Sequence, residues 1–451
     1  MHPDRRPETC PPVATTGILR RTDISQLLGL VLLGVLIGLA CWPLNRIDAW
    51  QDRLLGLLPG FSGQGWTAPG LALALAPLVV LPLLLVLMNG PLASGAGSGI
   101  PQTIASLEHP ELARRLLAPR ATLIRLALWT VASLALLPLG REGLLVQLGA
   151  AVAQALGRWA PGLAARLRSE NLLTLGAGAG LAGGFNSPLV GALFVMEELT
   201  GRFATALIWP ALVVCAAAAL VSNLEGMPVF PLGMVPTAIP EWQQLLWAVP
   251  IGALGGLLGG GLARGLLLTG AWLRPRIARH PWRWGVLVGS LLAALALLSG
   301  GRSGGDGEAL MSQLLGLRAE LPIPGSPFSW LGWLGLIVTR LLGPVLALAT
   351  GIPGGLIDPA FAVGAVFGGG SLHLLGGDAQ LGVALGMAAT LAGSTQLPLM
   401  TLVFSLRLAG DQQWLFGLLL TAAIGAYAGR RVQPKPLYHA LTAALMSRMR
   451  N

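Results

Sequence analysis

Gly140-Arg141-Glu142-Gly143 sets a cation beside a carboxylate in a stretch whose nearest other charges are Arg125 and Arg158. Leucine, alanine and glycine dominate around it, so the two charges fall within chain that reads as membrane-embedded. A carboxylate there is expensive, and where one occurs it usually marks an ion or proton route.

The remainder of the chain supports that setting. Of 451 residues, 54% are hydrophobic and 11% charged, with a mean hydropathy of +0.71, outside the usual balance of a soluble domain. Apolar runs from Gln26 to Trp42, Gly70 to Met88 and Trp414 to Ala428 approach or reach the ~20 residues that cross a bilayer as helix. Other apolar runs are broken by glycine and proline, and the 63 glycines are about twice the usual share. Small residues let helices approach closely in lipid, and broken helices persist there only when packed in protein or lining a cavity.

A net charge of +10 could point to nucleic acid, but the basic residues gather in short connections between apolar runs, which is a topology signal. Arg20 and Arg21, the group from Arg114 to Arg125, the group from Arg274 to Arg283, and Arg430 and Arg431 are expected on the cytosolic side. The segments Cys41 to Trp66 and Ser222 to Gln244 are expected outside, which puts both termini in the cytosol. Cys10, Cys41 and Cys215 are far apart and offer no disulfide framework or metal spacing. The polar tail has no h-region, so the first apolar run is expected to remain as a helix. The expected organisation is a cytosolic tail over residues 1–21 and a single transmembrane domain over 22–451.

Glycine turns divide that domain. Gly95 to Gln102 is flexible and places Pro101 where a helix can begin. Gly140 opens a second helix, and Gly183 to Pro188 opens a third that ends at Glu197 and Glu198. The second half repeats the pattern with Ser303 to Gly307, Gly351 to Pro359, and Gln396 to Met400. Pro188-Leu189 and Pro398-Leu399 each precede a similar apolar helix, and Glu197 and Arg407 each follow nine residues after the proline. Such weak internal symmetry is the mark of transporters built from inverted repeats, here about 70–225 and 244–430.

Helices that start inside a membrane present free N–H groups and the positive ends of their dipoles, which together attract anions. Amides and hydroxyls hold a small anion weakly enough to release it. Ser98 is a candidate hydroxyl or a helix cap, and Tyr438 a candidate hydroxyl or an interfacial belt residue. Glu142 either pairs with Arg141 or, when ionised, takes the anion's place and leaves it when protonated; adjacent helix residues do not face each other, which favours the second. Desolvation favours its neutral form and an amide nest its charged form, so it is suited to titrate. Glu197 and Glu198 are either a solvated helix end or a proton entry point. Asp306 and Asp358 read first as helix caps.

Taken together these residues resemble the CLC family of chloride channels and chloride/proton exchangers, over nearly the whole chain after the tail. Gly97-Ser98-Gly99-Ile100-Pro101 matches G-S-G-I-P, and Gly140 to Gly143 matches G-R-E-G. Asn186 to Glu198 matches N-x-P-L-x-G-x-L-F-x-x-E-E, and Lys435 to Tyr438 matches K-P-L-Y. The resemblance implies an all-α membrane fold of two inverted-topology repeats with many tilted and broken helices, assembled as a homodimer with one pathway per subunit. It implies that Ser98, Tyr438 and the backbone amides of Leu356 and Ile357 bind the anion, that Glu142 is the external gating glutamate, and that Glu198 is the internal proton glutamate.

Three positions depart from the family pattern. Leu144 stands for the usual Pro after G-R-E-G, Ile357 for the Phe of G-x-F-x-P, and Asp358 adds an acid beside the anion site. Ser98 favours chloride over nitrate or fluoride, by resemblance. The function expected is chloride/proton antiport; the alternative is a passive chloride channel, for which Ile357 and Leu144 are the motive. No cofactor or nucleic-acid partner is expected, the partners being chloride, protons and the lipid bilayer. Five histidines without metal spacing argue against an intramembrane enzyme, and a structural scaffold has no use for acids at broken helix starts. A compact chain of this kind suits a bacterial inner membrane.

Overall fold

The computed structural model describes residues 24–166, 169–224, 242–316, 330–410 and 412–450. The N-terminal tail and most of the Ser222 to Gln244 segment lie outside the described residues. The described chain is helical throughout, and seven of its helical stretches are long and apolar enough to cross a membrane.

The first half contains α1 (Ile24–Leu55), α2 (Ala68–Met88), α3 (Ile100–Glu108), α4 (Pro119–Leu134), α5 (Glu142–Trp159), α6 (Ser169–Phe185), α7 (Pro188–Phe194) and α8 (Thr205–Ser222). The second contains α9 (Ala248–Arg279), α10 (Pro281–Leu298), α11 (Glu308–Leu314), α12 (Trp330–Ala349), α13 (Ile357–Leu374), α14 (Ala379–Thr395), α15 (Pro398–Ala409) and α16 (Leu415–Val432), followed by α17 (Leu437–Arg450).

The two halves carry the same parts in the same register. Gly99 and Gly307 precede α3 and α11 with the same φ of 115°, a backbone state that a side chain resists. Arg141 and Leu356 precede α5 and α13 with identical φ −107° and ψ −10°. Asn186 and Gln396, both with positive φ, precede the proline starts of α7 and α15. The halves are also cross-tied: Gly97 N–H donates to Gly351 O (2.8 Å), and Gly305 N–H donates to Leu136 O (3.0 Å).

At the centre, Gly140 and Gly355 exchange N–H···O bonds of 3.0 and 2.9 Å. Their backbones run antiparallel, and the two helices start from this pair.

Glycine also sets how the helices pack. Gly149 of α5 lies against the backbone of Gly176 and Gly180 in α6, and Gly364 and Gly368 of α13 lie against Gly382 and Gly386 in α14. These are backbone-to-backbone approaches, the form of packing that stabilises helix pairs in lipid.

Three sequence expectations are corrected. The first part of the Cys41 to Trp66 segment is not an exposed connection, because α1 continues to Leu55 and buries Asn45, Asp48 and Gln51. The connection expected to carry the basic group from Arg274 to Arg283 shrinks to a corner at His280 between two helices. Arg125 is not a connection residue marking the cytosolic side; it is 3% exposed. From α4 it donates to the carbonyls of Ser94, Gly95, Ala96 and Gly97 and to Gln147. Arg340 does the same in the second half, donating to Gly304 O and Gly305 O at 3.0 and 3.1 Å. Both glycine turns are thus held by a buried guanidinium.

Substituting Gly307→Val is expected to cost about 1–3 kcal/mol from its positive φ alone, with a further loss from collision against Ala362. Gly261→Ala, in α9 with open space around it, should be neutral or slightly stabilising. Thermal unfolding in detergent checks both, and equal melting of the two variants would contradict this account of the turn.

Candidate ion pathway

Glu142 is the first residue of α5 and is fully buried. Its carboxylate reaches across the central glycine pair and accepts from Ile357 N–H at the start of α13. It lies directly over Gly140 and Gly355, where a Cβ on either would collide with it. Gly355 therefore has to be glycine for the carboxylate to sit there. An anionic group held by a helix N-terminus is the favoured electrostatic arrangement.

On one side of this point is a cavity of about 280 Å³ lined by residues that include Ser98, Leu356, Tyr438, Arg274 and Arg448. Ser98 Oγ and Tyr438 OH are buried and have no hydrogen-bond partner among the described residues. Buried hydroxyls are normally satisfied, so two unpaired ones lining one cavity form a donor pair available to a ligand. Ser98 is not a helix cap: the N–H of Gly99 is met by Gln102 Oε1 at 2.9 Å. Tyr438 is not a belt residue at 1% exposure, whereas Tyr427, at 63%, has that exposed character.

On the other side is a second cavity lined by Arg141, Asp358, Glu308 and Arg407. Leu356 lines the first cavity and Asp358 the second, so Ile357 and the Glu142 carboxylate bound to it lie between them. Arg141 does not pair with its neighbour Glu142. Its guanidinium pairs with Asp48, approaches Glu308 at 3.7 Å and lies 5.1 Å from the ring centre of Phe185. Asp48, Asp306 and Glu308 bring one carboxylate oxygen each within 4.8 Å of one another, a possible metal set, but Arg141 already supplies the cation at Asp48. Asp306 is a cap as expected, accepting from Glu308 N–H at 3.0 Å. Asp358 is not: its Oδ2 is buried without a partner.

The two acids after α7 have separate tasks. The helix widens there into a π-turn, Val195–Thr200, a form frequent at functional sites. Glu197 caps α15 through both oxygens, accepting from Leu399 N–H (3.0 Å) and Met400 N–H (2.6 Å). Glu198 is 3% exposed, and its Oε1 makes no hydrogen bond. Tyr438 is within electrostatic reach of both Glu142 and Glu198.

A family model described as voltage gated chloride channel matches residues 78–430. The chain belongs to that family, the CLC family. It is 29% identical over 458 aligned positions to the H(+)/Cl(-) exchange transporter ClcA of Yersinia pestis bv. Antiqua (strain Angola), covering 95% of this chain and 89% of the relative. It is 28% identical to the voltage-gated ClC-type chloride channel ClcB of Escherichia coli O17:K52:H18 (strain UMN026 / ExPEC), covering 68% and 72%. Among solved structures, a slow cyanobacterial Cl-/H+ antiporter superposes with a TM-score of 0.76 at 22% identity, covering 95% and 99%. A CLC-type fluoride/proton antiporter superposes at 0.71 with 24% identity, covering 92% and 98%. The chain has the CLC fold and is an integral, multi-pass membrane protein.

Sequence reading missed three participants in this CLC site: Arg125, Asp48 as the partner of Arg141, and the capping role of Glu197. Arg125 carried a signal, since Arg125 and Arg340 each stand fifteen residues before the central glycines 140 and 355. Asp48 lies in a segment expected outside the membrane, and nothing local ties it to Arg141.

The two acids are separable by experiment. Glu197→Ala removes two charge-assisted hydrogen bonds and should destabilise the protein by roughly 1.5–3 kcal/mol. Glu198→Ala removes a buried carboxyl that makes no hydrogen bond and should leave the melting temperature in detergent nearly unchanged. The reverse order would show the assignments to be exchanged.

Proposed function

We propose that this CLC protein is a chloride/proton antiporter. The observation that carries the reading is the Glu142 carboxylate on Ile357 N–H, between an inner cavity with two free hydroxyls and an outer one. Chloride is bound by Ser98 Oγ, Tyr438 OH and the backbone N–H groups of Leu356 and Ile357. It competes with ionised Glu142 for the α13 N-terminus. When Glu142 takes up a proton it becomes a poor ligand for the amide and swings away, and chloride replaces it. Return of the carboxylate expels the anion and gives up the proton. Gly97, Gly99, Ile100, Pro101, Gly140, Arg141 and Gly143 support the two turns that position these groups. Glu198 supplies protons from the cytosolic side by a route separate from the anion's.

The names of the ClcA relatives support the chemistry of exchange. The chain is read as a homodimer with one pathway per subunit, repeats at about 70–225 and 244–430, and no catalytic chemistry or cofactor. The basic connections are read as cytosolic, which supports both termini in the cytosol of a bacterial inner membrane. A second reading, a passive chloride channel, is favoured by Ile357 and Leu144, which replace the family's usual Phe and Pro.

Reconstituted vesicles recording both ions decide between the two. Antiport requires chloride movement down its gradient to drive protons the opposite way, and a reversal potential that ignores a pH gradient selects the channel. Glu142→Gln is expected to abolish proton flux while anion flux persists, and unchanged coupling in that variant would refute the gate.

A further inference from the structure

Glu198 is nearly sealed from solvent, with a side-chain exposure of 1%, yet the reading above asks it to exchange protons with water. One group bridges that gap. His439 Nε2 lies 3.7 Å from Glu198 Oε1, and the His439 side chain is 45% exposed. His439 follows Tyr438 at the start of α17, so the backbone that positions the anion-site hydroxyl also positions this imidazole. No group among the described residues makes a hydrogen bond to Glu198 Oε1.

We propose that His439 is the proton relay between Glu198 and the adjoining aqueous phase, a role that rests on Glu198 being a proton group. In the inward step the Nε2–H bond of the imidazolium breaks as an O–H bond forms on the Glu198 carboxylate, and the neutral imidazole then takes a proton from solvent. The outward step is the reverse, so protons balance without another reactant. Imidazole suits the task because its charge ordinarily changes between about pH 5 and 8.

The surrounding charges leave this path clear. Glu197, the neighbouring acid that acts electrostatically on Glu198, is committed to α15 through both oxygens. Tyr438, on the same helix as His439, points its hydroxyl into the anion cavity. Arg274 and Arg448 are cations of that cavity's lining; Arg274 donates to Ala349 O at 3.2 Å.

The test measures proton and chloride flux in the same vesicles for the full-length protein, His439→Gln and His439→Glu, over a range of pH on the α17 side. The relay predicts that the proton-to-chloride flux ratio falls at least about tenfold in His439→Gln, less than the ~10²-fold of many acid–base groups because water offers a slow bypass. In His439→Glu, which keeps a titratable group, the ratio recovers and the pH profile moves to lower pH. If the unmodified protein moves no protons, the antiport reading and the relay both fall. If it is coupled and His439→Gln keeps its flux ratio and pH profile, the relay alone is overturned. Parallel loss of both fluxes in the Gln and Glu variants also overturns it, since that is the behaviour of a merely structural side chain.

Discussion

Everything in the site depends on two helix N-termini being fixed side by side in the interior of the fold. The exchange of hydrogen bonds between Gly140 and Gly355 does this with backbone alone. Because neither residue has a side chain, the space above the pair admits a carboxylate, and the carboxylate of Glu142 fills it. A bulkier pair would still bond but would leave no room for an anion. The glycine content of the chain is therefore partly a requirement of ion passage and partly one of helix packing.

The strength of the site follows from what holds the anion. A hydrogen bond to a charged group is worth about 1.5–3 kcal/mol, and a helix dipole contributes at most ~2 kcal/mol. A full positive charge 4 Å away would add about 4 kcal/mol at an effective dielectric of 20, enough to slow release by roughly three orders of magnitude. Arg141, adjacent in sequence to Glu142, is kept from that role by its pairing with Asp48 and its approach to Glu308. Asp48 and Glu308 thus do indirect work: they engage a guanidinium that would hold an anion too tightly for the proposed transport. Asp358 lines the same cavity as Arg141, Glu308 and Arg407.

Much of this could be read from residue order. The glycine turns, the paired prolines and the acids at 142, 197 and 198 identified a membrane fold with internal symmetry, because the bilayer punishes charge and broken backbone unless both are used. What could not be read was any contact made across that symmetry. Arg125 looked like a topology charge because it stands near Arg114, Arg115 and Arg120, and only the fold turns it inward to satisfy four carbonyls. Asp48 reads as part of an outward segment in which Arg46 and Arg53 balance Asp48 and Asp52, yet α1 runs through it and buries it. Local charge density misleads where a helix carries its polar face into the protein interior.

The relation between Glu197 and Glu198 shows how one turn gives two adjacent acids different surroundings. Both acids leave one π-turn, which widens the helix and turns adjacent side chains toward different neighbours. One binds the start of α15 and is immobilised by two amides. The other is buried, its Oε1 makes no hydrogen bond among the described residues, and the imidazole of His439 lies 3.7 Å from it. A carboxyl with no fixed donor gains little from being charged and loses little on protonation, which is the condition for passing a proton on rather than holding it. The same reasoning places Glu142 at the opposite extreme, since its ionised form is held by an amide and must be displaced. In the antiport proposed above, proton traffic between them links a carboxyl without a hydrogen bond on Oε1 to one bound by an amide, and the anion supplies the displacement.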